Sequence, residues 1–113
     1  MKVEVVLGEE FKRQFRRLAK KYQSLTDDFI TFKKEIEEDP FQGSDLGGGT
    51  RKVRMAIASK GKSGGARVIT LNIAQKGIDI LEVTLLTIYD KGEISSVSSK
   101  YIKWLVAQIE DKE

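Results

Sequence analysis

The sequence contains neither cysteine nor histidine. Without cysteine there is no disulfide and no thiolate nucleophile, which is compatible with the reducing cytoplasm where we expect the protein to act. Without histidine the chain lacks the commonest general base and the commonest metal ligand, so we expect no zinc site and no other cofactor. No apolar run approaches the roughly 20 residues that span a bilayer, and the segment Met1–Leu7 is too short and too acidic for a signal peptide.

Acidic residues are absent from one long stretch, between Asp45 and Asp79. That stretch carries seven basic residues, namely Arg51, Lys52, Arg54, Lys60, Lys62, Arg67 and Lys76. Because the whole chain has a formal net charge of only +3, its positive charge is concentrated here. Ordinary surfaces mix both signs, so the stretch predicts a surface that meets an anionic partner. The alternative is a solvated basic face that only aids solubility.

Hydrophobic periodicity predicts a single α+β domain over residues 1–113, with the element order β-α-α-β-β-β-α. We expect strands at 2–7, 51–58, 66–74 and 80–89, and a last helix that begins within 95–99. The glycine-rich segment 41–50 reads as a loop. The predicted sheet is largely antiparallel, with the helices packed on one face. The expected core residues are Phe11, Phe15, Leu18, Phe29, Phe32, Ile36, Ile69, Leu71, Val83 and Leu85.

The strand pattern also predicts where the basic side chains point. Strict alternation places Lys52 and Arg54 on one face of a strand, about 7 Å apart. Other candidates follow at the turn and strand ends: Lys60 and Lys62 on a glycine-rich turn, Arg67 at the start of the returning strand, and Tyr89 and Lys91 at the end of the last strand. If these three strands are adjacent, the candidates lie close together.

Four segments, in this order, resemble a known family. They are the helix Phe11–Tyr22, the strand Arg51–Ala56, the turn Gly61–Ile69 and the strand end Leu85–Glu93. Together they resemble the RelE/HigB-type toxins of type II toxin–antitoxin systems, within the RelE/ParE superfamily. The string Gly-Lys-Ser-Gly-Gly-Ala-Arg-Val-Ile, followed by Leu-Leu-Thr-Ile-Tyr, favours the HigB-like branch.

The resemblance implies a microbial-RNase-like fold and metal-independent cleavage of mRNA in the ribosomal A site. It also implies a cognate antitoxin, often a helix-turn-helix protein in the HigB branch. Carried over residue by residue, the family's basic pair falls on Lys52 and Arg54, and its next arginine falls on Arg67. The chain departs from the family pattern near Gly92, where an arginine is expected, and near Ser98, where a catalytic tyrosine is expected.

Cleavage of RNA by its own 2′-hydroxyl needs a base, cations for the charge that builds on the phosphate, and a proton source for the leaving 5′-oxygen. Neighbouring cations favour the neutral form of a lysine, so Lys52 is the candidate base. The remaining expected roles are phosphate binding by Arg54 and Arg67, proton donation by Lys91 or Tyr89, and RNA binding by Arg51, Lys60 and Lys62. Two alternatives stay open: a non-catalytic protein that binds RNA or the antitoxin, and a ParE-like inhibitor of DNA gyrase.

Overall fold

The computed structural model describes residues 1–60 and 64–110. In chain order the elements are β1 (Lys2–Leu7), α1 (Glu9–Lys21), α2 (Leu25–Glu38), β2 (Ser44–Gly47), β3 (Thr50–Ala56), a 3₁₀ turn (Ala58–Lys60), β4 (Gly65–Ala74), β5 (Ile80–Asp90) and α3 (Ser99–Glu110). The predicted α+β class and the start of the last helix are confirmed. Within the described residues, no helix combines the length and the apolar character needed to cross a bilayer.

The strands form one mixed sheet in the order β1-β5-β4-β3-β2. The pairs β3 with β4 and β4 with β5 are antiparallel, as predicted for three adjacent strands. Strand β1 joins the same sheet beside β5 and is the one parallel partner in the order, with Lys2 opposite Ile80 and Leu7 opposite Leu85. The basic strand β3 therefore lies two positions away from the tyrosine-bearing strand β5.

The expectation of a loop over 41–50 is wrong for Ser44–Gly47, which forms the edge strand β2 against β3. The four residues are all exposed, and no apolar alternation marks them as a strand. Their pairing depends instead on contacts with β3, including hydrogen bonds from the Arg51 guanidinium to the backbone oxygens of Gln42 (3.0 Å) and Gly43 (3.1 Å). Tertiary contacts thus override a local sequence that resembles a loop.

The helices lie on both faces of the sheet, so the expectation of a single covered face is wrong for α3. Helices α1 and α2 cover one face through a first core cluster that includes Phe11, Leu18 and Phe32. Helix α3 covers the other face through a second cluster of Ile69, Leu71, Leu86, Tyr89 and Leu105. Strands β4 and β5 are apolar on both sides, and this lets helices pack on each.

Most of the predicted core is confirmed. Eight of the ten expected residues are fully buried, namely Phe11, Leu18, Phe32, Ile36, Ile69, Leu71, Val83 and Leu85. Phe15 and Phe29 are half-buried and pack against the first cluster, with their ring centroids 5.5 Å apart. The helical spacing therefore identified the correct faces of α1 and α2.

One glycine beside the basic strand has no room for a side chain. Gly43 has a φ of +84°, and a Cβ there would lie 2.2 Å from the backbone oxygen of Lys52. We predict that Gly43→Ala lowers the free energy of unfolding by about 2–4 kcal/mol, because strain and a backbone clash combine. Gly48→Ala is the matched control, since Gly48 also has a positive φ but open space around it. It should cost about 1 kcal/mol. Equal losses of unfolding free energy in the two variants, measured by urea unfolding, would contradict the close approach of Gly43 to the Lys52 backbone.

Candidate nucleic-acid interface

Two arginines and a tyrosine form a row across three strands. Arg54 on β3 lies directly opposite Arg67 on β4, and Arg67 lies directly opposite Tyr89 on β5. Directly opposed side chains in antiparallel strands have Cβ atoms about 4.5–5.5 Å apart. Lys52 is two residues from Arg54 on the same strand and therefore on the same face. The Arg54/Arg67/Tyr89 row and Lys52 share the face on which α3 packs, while Val53 and Met55 point into the first core cluster.

The row places two positive charges against each other. Among the described residues, neither Arg54 nor Arg67 forms an ion pair. The Arg67 guanidinium donates only a long hydrogen bond, 3.3 Å, to the backbone oxygen of Ala66. Like charges directly opposite each other destabilise a sheet. An anion between the guanidinium groups would relieve the repulsion, and a phosphate can accept hydrogen bonds from both.

A β-bulge aims Tyr89 at this face. Ile69 pairs with Thr87 and Thr70 pairs with Leu85, so Leu86 is an extra residue in β5. Before the bulge, Val83 and Leu85 point to the first core cluster. In an unbroken alternation Tyr89 would point the same way, but the extra residue turns it to the α3 face. Tyr89 therefore reaches the side of the sheet that carries Arg67.

The environment of Tyr89 keeps its hydroxyl protonated. Burial raises the pKa of Tyr89, and the positive charge of Arg67 opposes part of that increase. The side chain is 3% exposed, so the phenol sits in a largely dry position at the edge of the row. A protonated phenol beside the Arg67 guanidinium can donate a hydrogen bond or a proton to an oxygen of a bound phosphate ester.

A groove of about 540 Å³ continues from the row toward the β2–β3 turn. Lys52 and Tyr89 line one part of it, and Ile102, Lys103 and Val106 of α3 line another. Sequence reasoning missed Lys103, although its position one residue after Ile102 on an amphipathic helix places it at the border of the packed face. The groove offers apolar walls beside a cationic rim, which suits a nucleotide whose phosphate lies on the row.

Arg51 is not part of this surface. Its side chain is 18% exposed, lies near Asp45 and donates to backbone oxygens of the segment before β2. Arg51 neighbours Lys52 on the strand, so the two side chains point to opposite faces. The geometry therefore does not support the predicted RNA-binding role of Arg51, and its observed contacts hold the segment before the edge strand.

Lys60 is also directed away from the row. Its ammonium group pairs with the buried carboxylate of Asp90, which the Tyr22 hydroxyl also contacts. Burial alone would raise the pKa of Asp90, but hydrogen bonds from Lys60, Tyr22 and a backbone N–H outweigh it and hold that pKa well below its usual range. The geometry therefore does not support the predicted RNA-binding role of Lys60, because its ammonium group pairs with Asp90 on the α1 side of the sheet.

The remaining candidates lie at the turns. Lys62 lies outside the described residues, and Lys91 is exposed in the turn after β5. The residues at the two family departures have structural roles here. Gly92 donates its backbone N–H to Asp90 (2.8 Å), and the Ser98 hydroxyl accepts the backbone N–H of Tyr101 (3.1 Å) at the start of α3.

The sequence also matches a protein-family model. The model of the RelE toxin of the RelE/RelB toxin–antitoxin system matches residues 10–110. The chain therefore belongs to the RelE toxin family. It is a toxin of a toxin–antitoxin system with an antitoxin as its partner, and toxins of this family are generally ribonucleases.

Anion binding at the row can be tested without RNA. We predict that sulfate raises the midpoint of thermal unfolding by about 4 °C relative to chloride at matched ionic strength, which corresponds to roughly 1 kcal/mol for a domain of this size. Arg67→Gln should abolish the increase. Lys76→Gln removes the same charge from the exposed turn before β5 and should preserve it. An equal response in both variants would indicate general screening instead of a site.

Proposed function

We propose that this toxin is a metal-independent endoribonuclease that cuts mRNA in the A site of the ribosome. The observation that carries the proposal is the Arg54/Arg67/Tyr89 row with Lys52 beside it on one open sheet face. The row combines two fixed cations, one amine and one phenol. These are the group types that cleavage by the RNA 2′-hydroxyl requires.

Each group has a proposed task. Lys52, the proposed base, takes the proton of the 2′-hydroxyl while that oxygen attacks the adjacent phosphorus. Arg54 and Arg67 stabilise the negative charge that develops on the phosphate oxygens. The bond from phosphorus to the 5′-oxygen then breaks, and the leaving oxygen takes a proton from Tyr89, with the exposed Lys91 as the alternative donor. The products are a 2′,3′-cyclic phosphate and a 5′-hydroxyl.

The openness of the site supports dependence on the ribosome. Arg54 is exposed and Arg67 is half-buried, so the two guanidinium groups of the row lie at the protein surface while Tyr89 beside them is buried. Such a surface binds phosphate but does not by itself hold the 2′-hydroxyl in line with the departing 5′-oxygen. A message already ordered by the ribosome supplies that orientation, and orientation alone can contribute about 7–11 kcal/mol to lowering a barrier.

We also propose a helix-turn-helix antitoxin, in line with the HigB-like branch, and a cytoplasmic site of action. The antitoxin covers the basic sheet face or the edge of the fold. Arg13 and Arg17 on α1 are engaged by Glu10 and Glu93, whereas Arg16 on the same helix is exposed and suits an acidic partner segment. Co-expression with the antitoxin should abolish growth arrest. Toxicity that persists beside soluble partner would contradict this proposal.

A non-catalytic RNA-binding protein is the second candidate. The structural roles of Gly92 and Ser98 favour it, because neither position offers the arginine or tyrosine of the family pattern. Induced expression followed by mapping of transcript ends separates the two. New ends inside translated codons support the endonuclease, whereas growth arrest with intact transcripts supports the binding protein.

The arginines should be essential for cleavage. We predict that Arg54→Ala and Arg67→Ala each slow cleavage on programmed ribosomes by about 10²–10³-fold, as removal of one transition-state donor does elsewhere. Lys76→Ala is the charge-matched control and should cleave at nearly the parent rate. Circular dichroism should show that all three variants are folded. Activity within a few-fold of the parent in either arginine variant would place the chemistry elsewhere.

Lys52 can be tested by its proton chemistry. Lys52→Ala and Lys52→Arg should both lose cleavage, because arginine keeps the positive charge but does not release its proton near neutral pH. Rates at saturating ribosome concentration separate this effect from weaker binding. If Lys52→Arg retains cleavage, Lys52 only binds phosphate, and the base is a different group.

A further inference from the structure

The last part of β5 has a strand partner on one side only. Strand β1 ends at Leu7, opposite Leu85, and Gly8 makes the final hydrogen bond to β5 through its N–H and the Leu85 oxygen (2.9 Å). Beyond this point, residues 87–90 pair with β4 alone. Strand ends paired on one side open more easily than strands in the middle of a sheet. Tyr89 lies within this one-sided part.

The Asp90 side chain holds the end of β5, which has a strand partner on one side only. Its carboxylate is 1% exposed and contacts the Lys60 ammonium and the Tyr22 hydroxyl. It also accepts the N–H of Gly92 (2.8 Å) and lies 3.5 Å from the Lys21 ammonium. These donors come from the end of α1, the turn before β4 and the turn after β5. One carboxylate therefore joins three segments at the end of the sheet that bears the row.

We propose that Asp90 is a positioning residue that fixes Tyr89 and Arg67 in the row, an inference that rests on the proposed function. Asp90 lies opposite Ala66, one residue from the pair of Arg67 with Tyr89. Adjacent residues point to opposite faces, so Asp90 acts from the α1 side and does not touch the RNA. Asp90 can therefore anchor the end of β5 to α1 without occupying the row.

The anchor is specific to the ionised carboxylate. Asp90→Asn keeps the size of the side chain but replaces one acceptor oxygen with an NH₂ group, which faces either Lys60 and Gly92 or Tyr22 and Lys21. Amide hydrogen exchange then reports the effect without any substrate. We expect exchange at residues 66–68 and 88–90 to accelerate at least tenfold. Exchange at residues 82–85, which have partners on both sides, should stay within twofold.

Asp79→Asn is the matched control. Asp79 is an exposed carboxylate that pairs with the N-terminal ammonium group (3.3 Å), and its loss should leave exchange at both sites unchanged. Tyr22→Phe, which removes one hydrogen-bond donor to Asp90, is the variant to use if Asp90→Asn does not fold. It should give the same local pattern with a smaller increase. Uniform acceleration across the slow amides, or no acceleration, would overturn the positioning role and leave Asp90 as a residue of general stability.

Cleavage kinetics test the consequence for the row. Asp90→Asn should lower kcat on ribosomes at least tenfold while KM stays within twofold, because Lys52 and Arg54 on β3 still bind the message. A rise in KM at unchanged kcat would overturn the inference. If the parent protein cleaves no message, the proposed function fails, and the exchange pattern alone still decides whether Asp90 holds Tyr89 and Arg67.

Discussion

The candidate site depends on one extra residue in β5. Leu86 interrupts the pairing of β5 with β4, and the side-chain alternation reverses beyond it. The reversal sends Tyr89 to the α3 face, where Arg67 lies, and sends Asp90 to the opposite face, where Tyr22 and Lys60 lie. Without it the same sequence would bury the tyrosine under α1 and place the aspartate beside the arginines, where it would neutralise them.

The bulge places the cationic side chains and the carboxylate that holds the strand end on opposite faces of the sheet. On the α3 face, Arg54 and Arg67 have no ion-pair partner among the described residues, and their mutual repulsion weakens the sheet. Under the proposed function these two arginines bind phosphate. On the α1 face, a buried carboxylate with several donors holds the strand end together. This separation explains how a chain without histidine can keep a strongly cationic surface that still has a defined geometry. Catalysis on such a surface depends on charge and orientation more than on one finely tuned base.

Local patterns in the sequence predicted the order of the helices and of every strand except β2, most of the core, and the shared face of Lys52, Arg54 and Arg67. They did so because period-two and helical spacings record which side of an element is buried. The exposed edge strand Ser44–Gly47 carries no such pattern and forms only through contacts with β3. Lys60 pairs with Asp90, a residue distant in sequence, and Arg51 donates hydrogen bonds to the loop segment before β2. Local patterns do not record such partners. A stretch free of acids therefore did not translate into a single basic surface, since Asp90 lies outside that stretch in sequence and beside Lys60 in space.

The chemical nature of the RNA ends tests the central claim most directly. Purified protein is incubated with ribosomes stalled on a defined message, and the ends at the cut are identified by mass spectrometry and by labelling with polynucleotide kinase. Attack by the 2′-hydroxyl predicts a cut within the A-site codon, a 2′,3′-cyclic phosphate on the upstream fragment and a 5′-hydroxyl on the downstream fragment. A downstream fragment with a 5′-phosphate, or a message left intact beside bound protein, would contradict the account.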